Sequence, residues 1–125
     1  MPGQSDTDGR PHKGLEAWQQ AMELCVAVYA ATKDLPASER FGLTQQMRNA
    51  ATSVPTNIAE GAAKGTSREF VRSLYIARGE LAELDTQLEI AQRLGYLADA
   101  KAIKEHVDRV ARLVSGLIRR LKERA

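Results

Sequence analysis

FGLTQQMRNAATSVPTNIAEGAAKGTSREFVRSLYIARGELAELDTQLEIAQRLGYL, residues 41–97, holds two long helical patterns joined by a tight glycine turn. In its second half Phe70, Leu74, Ala77, Leu81, Leu84, Leu88 and Ala91 recur at alternating steps of four and three. That spacing is the seam of a helix lying nearly along its neighbours. In its first half Leu43, Met47, Ala50, Val54, Ile58 and Ala62 keep helical spacing straight through Pro55. Proline has no amide proton, so it strips the Ala51 carbonyl of its bond, and the hydroxyls of Thr52 and Ser53 stand where they can reach freed carbonyls. The reading is a bent, continuous helix, with a true break at Pro55 as the alternative. Lys64 and Gly65 end it, a cation in the last turn and then a residue free to take positive φ. Thr66 with Glu69 makes a capping box that opens the next helix. This one runs to about Leu94, where Gly95 with Tyr96 or Leu97 fits a Schellman close.

On the N-terminal side, Trp18, Met22, Cys25, Tyr29 and Thr32 form one stripe, with Ala17, Ala21, Leu24, Val28 and Ala31 beside it. Together they predict a helix over 15–34 with a wide apolar face, terminated by Leu35-Pro36. Residues 1–14 hold three glycines, two prolines and almost nothing apolar, so they cannot offset the entropy cost of ordering and read as a flexible tail. On the C-terminal side, Ile103, Val107, Val110, Val114, Leu117 and Leu121 repeat the steps of four and three. Short links make successive helices antiparallel. The expected fold is all-α, an antiparallel up-down-up-down four-helix bundle over 15–125 behind a tail of 1–14.

Composition agrees with that architecture. Hydrophobic residues make up 43% of the chain but aromatics only 5%, so the core is built largely from Ala, Leu, Val and Ile. The lone Cys25 cannot form an internal disulfide, and residues 1–14 lack the apolar segment of a secretory signal. No run approaches the roughly eighteen apolar residues of a membrane helix, so a cytoplasmic protein without membrane contact is expected. The formal charge of +2 says little by itself, but it is unevenly distributed. Residues 76–100 carry two basic side chains against five acidic, whereas residues 101–125 carry eight basic against three acidic.

No nucleophile with its base, no phosphate cradle and no cluster of metal ligands stands in the sequence, so no catalytic residue, cofactor or metal is expected. A di-iron bundle needs Glu-x-x-His pairs, yet Ile103 stands three residues before His106, and His12 lies in the tail. Both histidines read as surface residues. Cys25 sits on the apolar stripe with no histidine at helical spacing, so it reads as a small core hydrophobe. Trp18 and Tyr29 read as core or interface filler.

At FGLTQQMRNAATSVPTNIAEG (41–61) and ELAELDTQLEIAQRLGYL (80–97) the chain resembles the bacterial four-helix bundle protein family, whose members are often encoded by intervening sequences within large-subunit ribosomal RNA genes. The resemblance extends over about residues 15–120. That family is in turn similar to the accessory variability determinant of diversity-generating retroelements, a basic bundle that forms a ring-shaped pentamer and binds nucleic acid and a reverse transcriptase. The resemblance therefore implies a homo-oligomer, a pentamer, with DNA or RNA and a nucleic-acid enzyme as partners. It implies no catalytic residues.

Asn57 and Glu60, within the family phrase NIAEG, read either as a binding pocket at the Pro55 bend or as structural polar groups. In the second case they satisfy freed backbone or bond across to Thr86 or Gln87. Ile76 and Ile90 lie two heptads apart, off the seam, where a lone bundle exposes them, and they mark a candidate oligomer interface. Lys101, Lys104, Arg112, Arg119 and Lys122 fall on one outward stripe of the last helix, with Arg109 and Arg120 beside it. The stripe is either a solvated charged face or a phosphate-binding one. Two functions follow: a non-enzymatic oligomer that holds nucleic acid or a nucleic-acid enzyme through these cations without reading much sequence, or a scaffold with no nucleic-acid binding.

Overall fold

The computed structural model describes residues 11–124. Four long helices carry the chain: α1 (Glu16–Thr32), α2 (Leu43–Ala63), α3 (Ser67–Arg93) and α4 (Lys101–Arg124). Short 3-10 turns stand at Pro11–Gly14 and Ala37–Glu39, and there is no strand among the described residues. Each helix packs on the next and α4 returns to pack on α1, so the four enclose one core.

Local chemistry sets the helix ends. The Thr66 hydroxyl accepts from the Glu69 N–H at 3.2 Å and starts α3. Gly65 and Gly95 take φ of +88° and +80°. At Gly95 the Tyr96 N–H donates to Ala91 O (2.9 Å) and the Gly95 N–H to Gln92 O (3.0 Å), the paired bonds of a Schellman close. Glu39 ties two distant links together, since its carboxylate accepts the Leu43 N–H at 3.0 Å and the Tyr96 hydroxyl at 3.1 Å. Arg48 of α2 donates to Tyr29 O and to Thr32 Oγ1, supplying the cation that the last turn of α1 lacks.

The helix through Pro55 is continuous, and Pro55 itself is buried. The nearby polar side chains bond one turn back along the helix. Thr52 donates to Arg48 O, Thr56 to Thr52 O (2.8 Å) and Asn57 to Ser53 O (2.8 Å), so the hydroxyl bonds do not go to the Ala51 carbonyl.

All four helices bury the greater part of their seams, with Ala62, Phe70 and Ile103 half-buried toward the helix ends. Leu24, Met47, Ile58, Leu74, Leu81, Leu84, Leu88, Val110 and Val114 are sealed from solvent. On α1 the two apolar stripes part company. Ala17, Ala21, Leu24 and Val28 are buried, whereas Met22 and Tyr29 are 41% exposed and Trp18 is only half-buried. The burying face of α1 is therefore narrower than its apolar face. The expected tail also ends earlier than Gly14. Residues 1–10 lie outside the described residues, but Pro11–Gly14 packs against α1 and α2, with His12 edge-on to Trp18 at 5.1 Å.

Candidate nucleic-acid interface

With Val107, Val110, Val114, Leu117, Ile118 and Leu121 turned into the core, α4 has to display its remaining positions outward or toward its two neighbours. Lys101, Arg112, Arg119 and Arg120 are exposed and make no ion pair among the described residues. The other three predicted cations are engaged. Lys104 is half-buried and pairs with Glu89 of α3; Arg109 lies 3.6 Å from Glu16 of α1; Lys122 donates to the Tyr75 hydroxyl at 3.3 Å. The seven thus divide into four unpaired cations and three that also tie α4 to its neighbours.

Glu89 is the electrostatic anchor on the α3 side. Hydrogen bonds from Lys104 and Arg93 hold its carboxyl down at about 2, well below the usual 4.5, and the same contact raises Lys104. A carboxyl whose folded-state value is depressed contributes stability above its unfolded value, and loses that contribution as pH falls toward the folded one. The Lys104–Glu89 pair is therefore expected to help stability above pH 4.5 and to cease helping near pH 2. Thermal melts of native protein and Lys104→Met should differ at neutral pH and converge on acidification. A difference that is constant across that window would show that the pair contributes nothing.

Asn57 turns back on its own helix, donating to both Ser53 O and Ser53 Oγ, while Thr86 bonds Ala82 O and the buried Gln87 Oε1 has no hydrogen-bond partner among the described residues. The bonds expected across to Thr86 or Gln87 are thus not made, because Asn57 finds a nearer carbonyl. Glu60 is exposed at the rim of a hollow of about 350 Å³ between α1 and α2, where Trp18, Met22, Cys25, Pro55 and Ala59 make the lining largely apolar. Cys25 is half-buried there, and burial pushes its thiol up, away from the reactive thiolate. His106 Nε2 lies 3.2 Å from Gln20 Oε1. Among the described residues, no group of three His, Cys, Asp or Glu side chains is placed to hold a metal ion, and no helix is long and apolar enough to cross a membrane.

Ile76 and Ile90 are 48% and 43% exposed on one face of α3, and Leu94 extends their row. Beside them Glu80 is raised above the ordinary carboxylate range, first by burial and then by the neighbouring Glu83.

Sequence reasoning missed two residues of this region, Tyr75 and Arg78. Both project from α3 into a groove of about 480 Å³ against α4, alongside Ser115, Ile118, Arg119 and Lys122. No local spacing could have found them, because the signal lies in the register that brings residue 75 to residue 122.

The sequence profile of a family described as 23S rRNA-intervening sequence protein matches residues 13–116. A crystal structure of a protein with unknown function from the S23 ribosomal protein family of Bacteroides thetaiotaomicron VPI-5482 is 23% identical. The match covers 82% of this chain and 95% of that one with a TM-score of 0.76, a likeness of fold. Among curated proteins, none matches.

Proposed function

Because the chain belongs to the 23S rRNA-intervening sequence protein family, we propose that it is a non-enzymatic, oligomeric, cytoplasmic binding protein. On this reading it is an antiparallel up-down-up-down bundle that holds nucleic acid, or an enzyme acting on it, through the outward face of α4. The observation that carries the proposal is the exposure of Lys101, Arg112, Arg119 and Arg120 without a carboxylate partner among the described residues. Unpaired cations on a rigid helix meet phosphates without first breaking an ion pair, and assembly of copies, a pentamer by resemblance, multiplies a weak patch. Glu105, Asp108 and Glu123 interrupt the face, so the binding strength comes from the four unpaired groups and from repetition.

The rival reading is a scaffold in which α4 cations pair with α3 carboxylates of a neighbouring copy. The Lys104–Glu89 and Arg109–Glu16 contacts favour it, since they show α4 cations satisfied by protein carboxylates within one chain. A titration with duplex DNA and structured RNA separates the two. Arg112→Glu with Arg119→Glu is expected to weaken binding to both nucleic acids alike, because phosphate contacts carry no sequence information. Binding indifferent to both reversals would leave the scaffold.

A further inference from the structure

The groove between α3 and α4 differs chemically from the rest of the basic face. Its floor is the buried Ile118, and its walls bring Arg78, Arg119 and Lys122 together with Glu123, the sole carboxylate among the described residues that line it. Tyr75 stands among them, 41% exposed. The Arg78 guanidinium lies 4.8 Å from the centre of the phenol ring and donates to Ser115 Oγ at 3.4 Å. The Lys122 ammonium lies 5.8 Å from the same centre and donates to the phenol oxygen at 3.3 Å. Arg119 makes no ion pair among the described residues.

Two cations held at one ring and a third lining the same groove repel one another, and the ring's negative face only partly offsets that repulsion. The arrangement is complementary to a ligand that brings anions and a flat apolar surface together. A nucleotide chain with unpaired bases is such a ligand: phosphates meet the cations, and a base stacks with the aromatic ring. A duplex cannot use the ring in this way, because its bases are already stacked inside the helix.

Resting on the nucleic-acid reading above, we infer that the Tyr75–Arg78–Arg119–Lys122 groove is a binding site for single-stranded nucleic acid, with Tyr75 as the base-stacking residue. Tyr75 thereby gives the α4 face a preference for unpaired segments that its cations alone do not have.

The test compares labelled oligothymidylate, an abasic strand of equal length and a duplex, by fluorescence anisotropy at low salt. The two single strands carry the same charge, so their difference isolates the base. Native protein should prefer oligothymidylate over the abasic strand by roughly tenfold, the scale of one base–aromatic stack. Tyr75→Leu should abolish that preference while still binding the abasic strand and the duplex, and Tyr75→Phe should keep it. Equal native affinity for both strands, a preference that survives Tyr75→Leu, or a uniform loss for all three probes overturns the stacking site and leaves the nucleic-acid reading intact. Absence of native binding to every probe overturns both. Circular dichroism of each variant checks that the bundle has formed.

Discussion

Alanine at Gly61 is expected to destabilise the protein by about 1–3 kcal/mol, the usual cost of overpacking a close contact, while alanine at Gly79 is expected to stabilise it by up to about 1 kcal/mol. Both glycines lie inside helices, so intrinsic propensity favours alanine equally at each. What differs is space. A methyl group on Gly61 would lie 2.7 Å from Ser73 Cβ and 3.0 Å from Phe70 Cδ1, whereas one on Gly79 meets nothing within 4 Å. Ser73 is buried and its Cβ is fixed directly to the α3 backbone, so α2 and α3 would have to separate. Gly61 is thus the residue that lets these two helices approach, which gives the last letter of NIAEG a packing role. Thermal or urea unfolding decides the matter. Equal stabilisation by both substitutions would show that the α2–α3 contact is looser than the geometry requires.

Ile76→Glu combined with Ile90→Glu is expected to dissociate the proposed oligomer while leaving the single bundle folded. Both side chains are nearly half exposed, so replacing them removes little core packing. In an assembled contact only the exposed half of each isoleucine is left to bury, about 0.7–1.5 kcal/mol apiece, so losing both corresponds to a factor of about 10 to 10² in association even before the cost of burying carboxylates. Sedimentation velocity at micromolar concentration reads the result. A monomeric native chain, or unchanged assembly of the double variant, would remove Ile76 and Ile90 from any interface.

The helix plan was legible because its punctuation is local. Leu35-Pro36, Gly65, the Thr66–Glu69 pair and Gly95 each act within a few residues of themselves, and the seams of α2, α3 and α4 follow one period throughout. The site was only half legible for the opposite reason. That Arg112 and Arg119 face outward follows from their spacing against Val110, Val114 and Leu117. That Lys104 and Arg109 are tied down follows from Glu89 and Glu16 on other helices, and so does the presence of Tyr75 beside Lys122. A pattern along one helix does not contain the register of its neighbour. Likewise the exposure of Met22, Val26 and Phe41 depends on how wide a face of α1 and of its following link the bundle can cover.

The central claim is that phosphates bind the unpaired cations of α4, and the affinity of the native protein for duplex DNA and structured RNA across a salt series tests it most directly. Each phosphate contact releases counterions, so log affinity should fall linearly with log salt, with a slope of about −0.9 per contact on duplex DNA. The account predicts measurable binding at low salt, a steep slope, and a slope shallower by about one for each of Arg112 and Arg119 when reversed. No binding at low salt, or an affinity that does not change along the series, would contradict it.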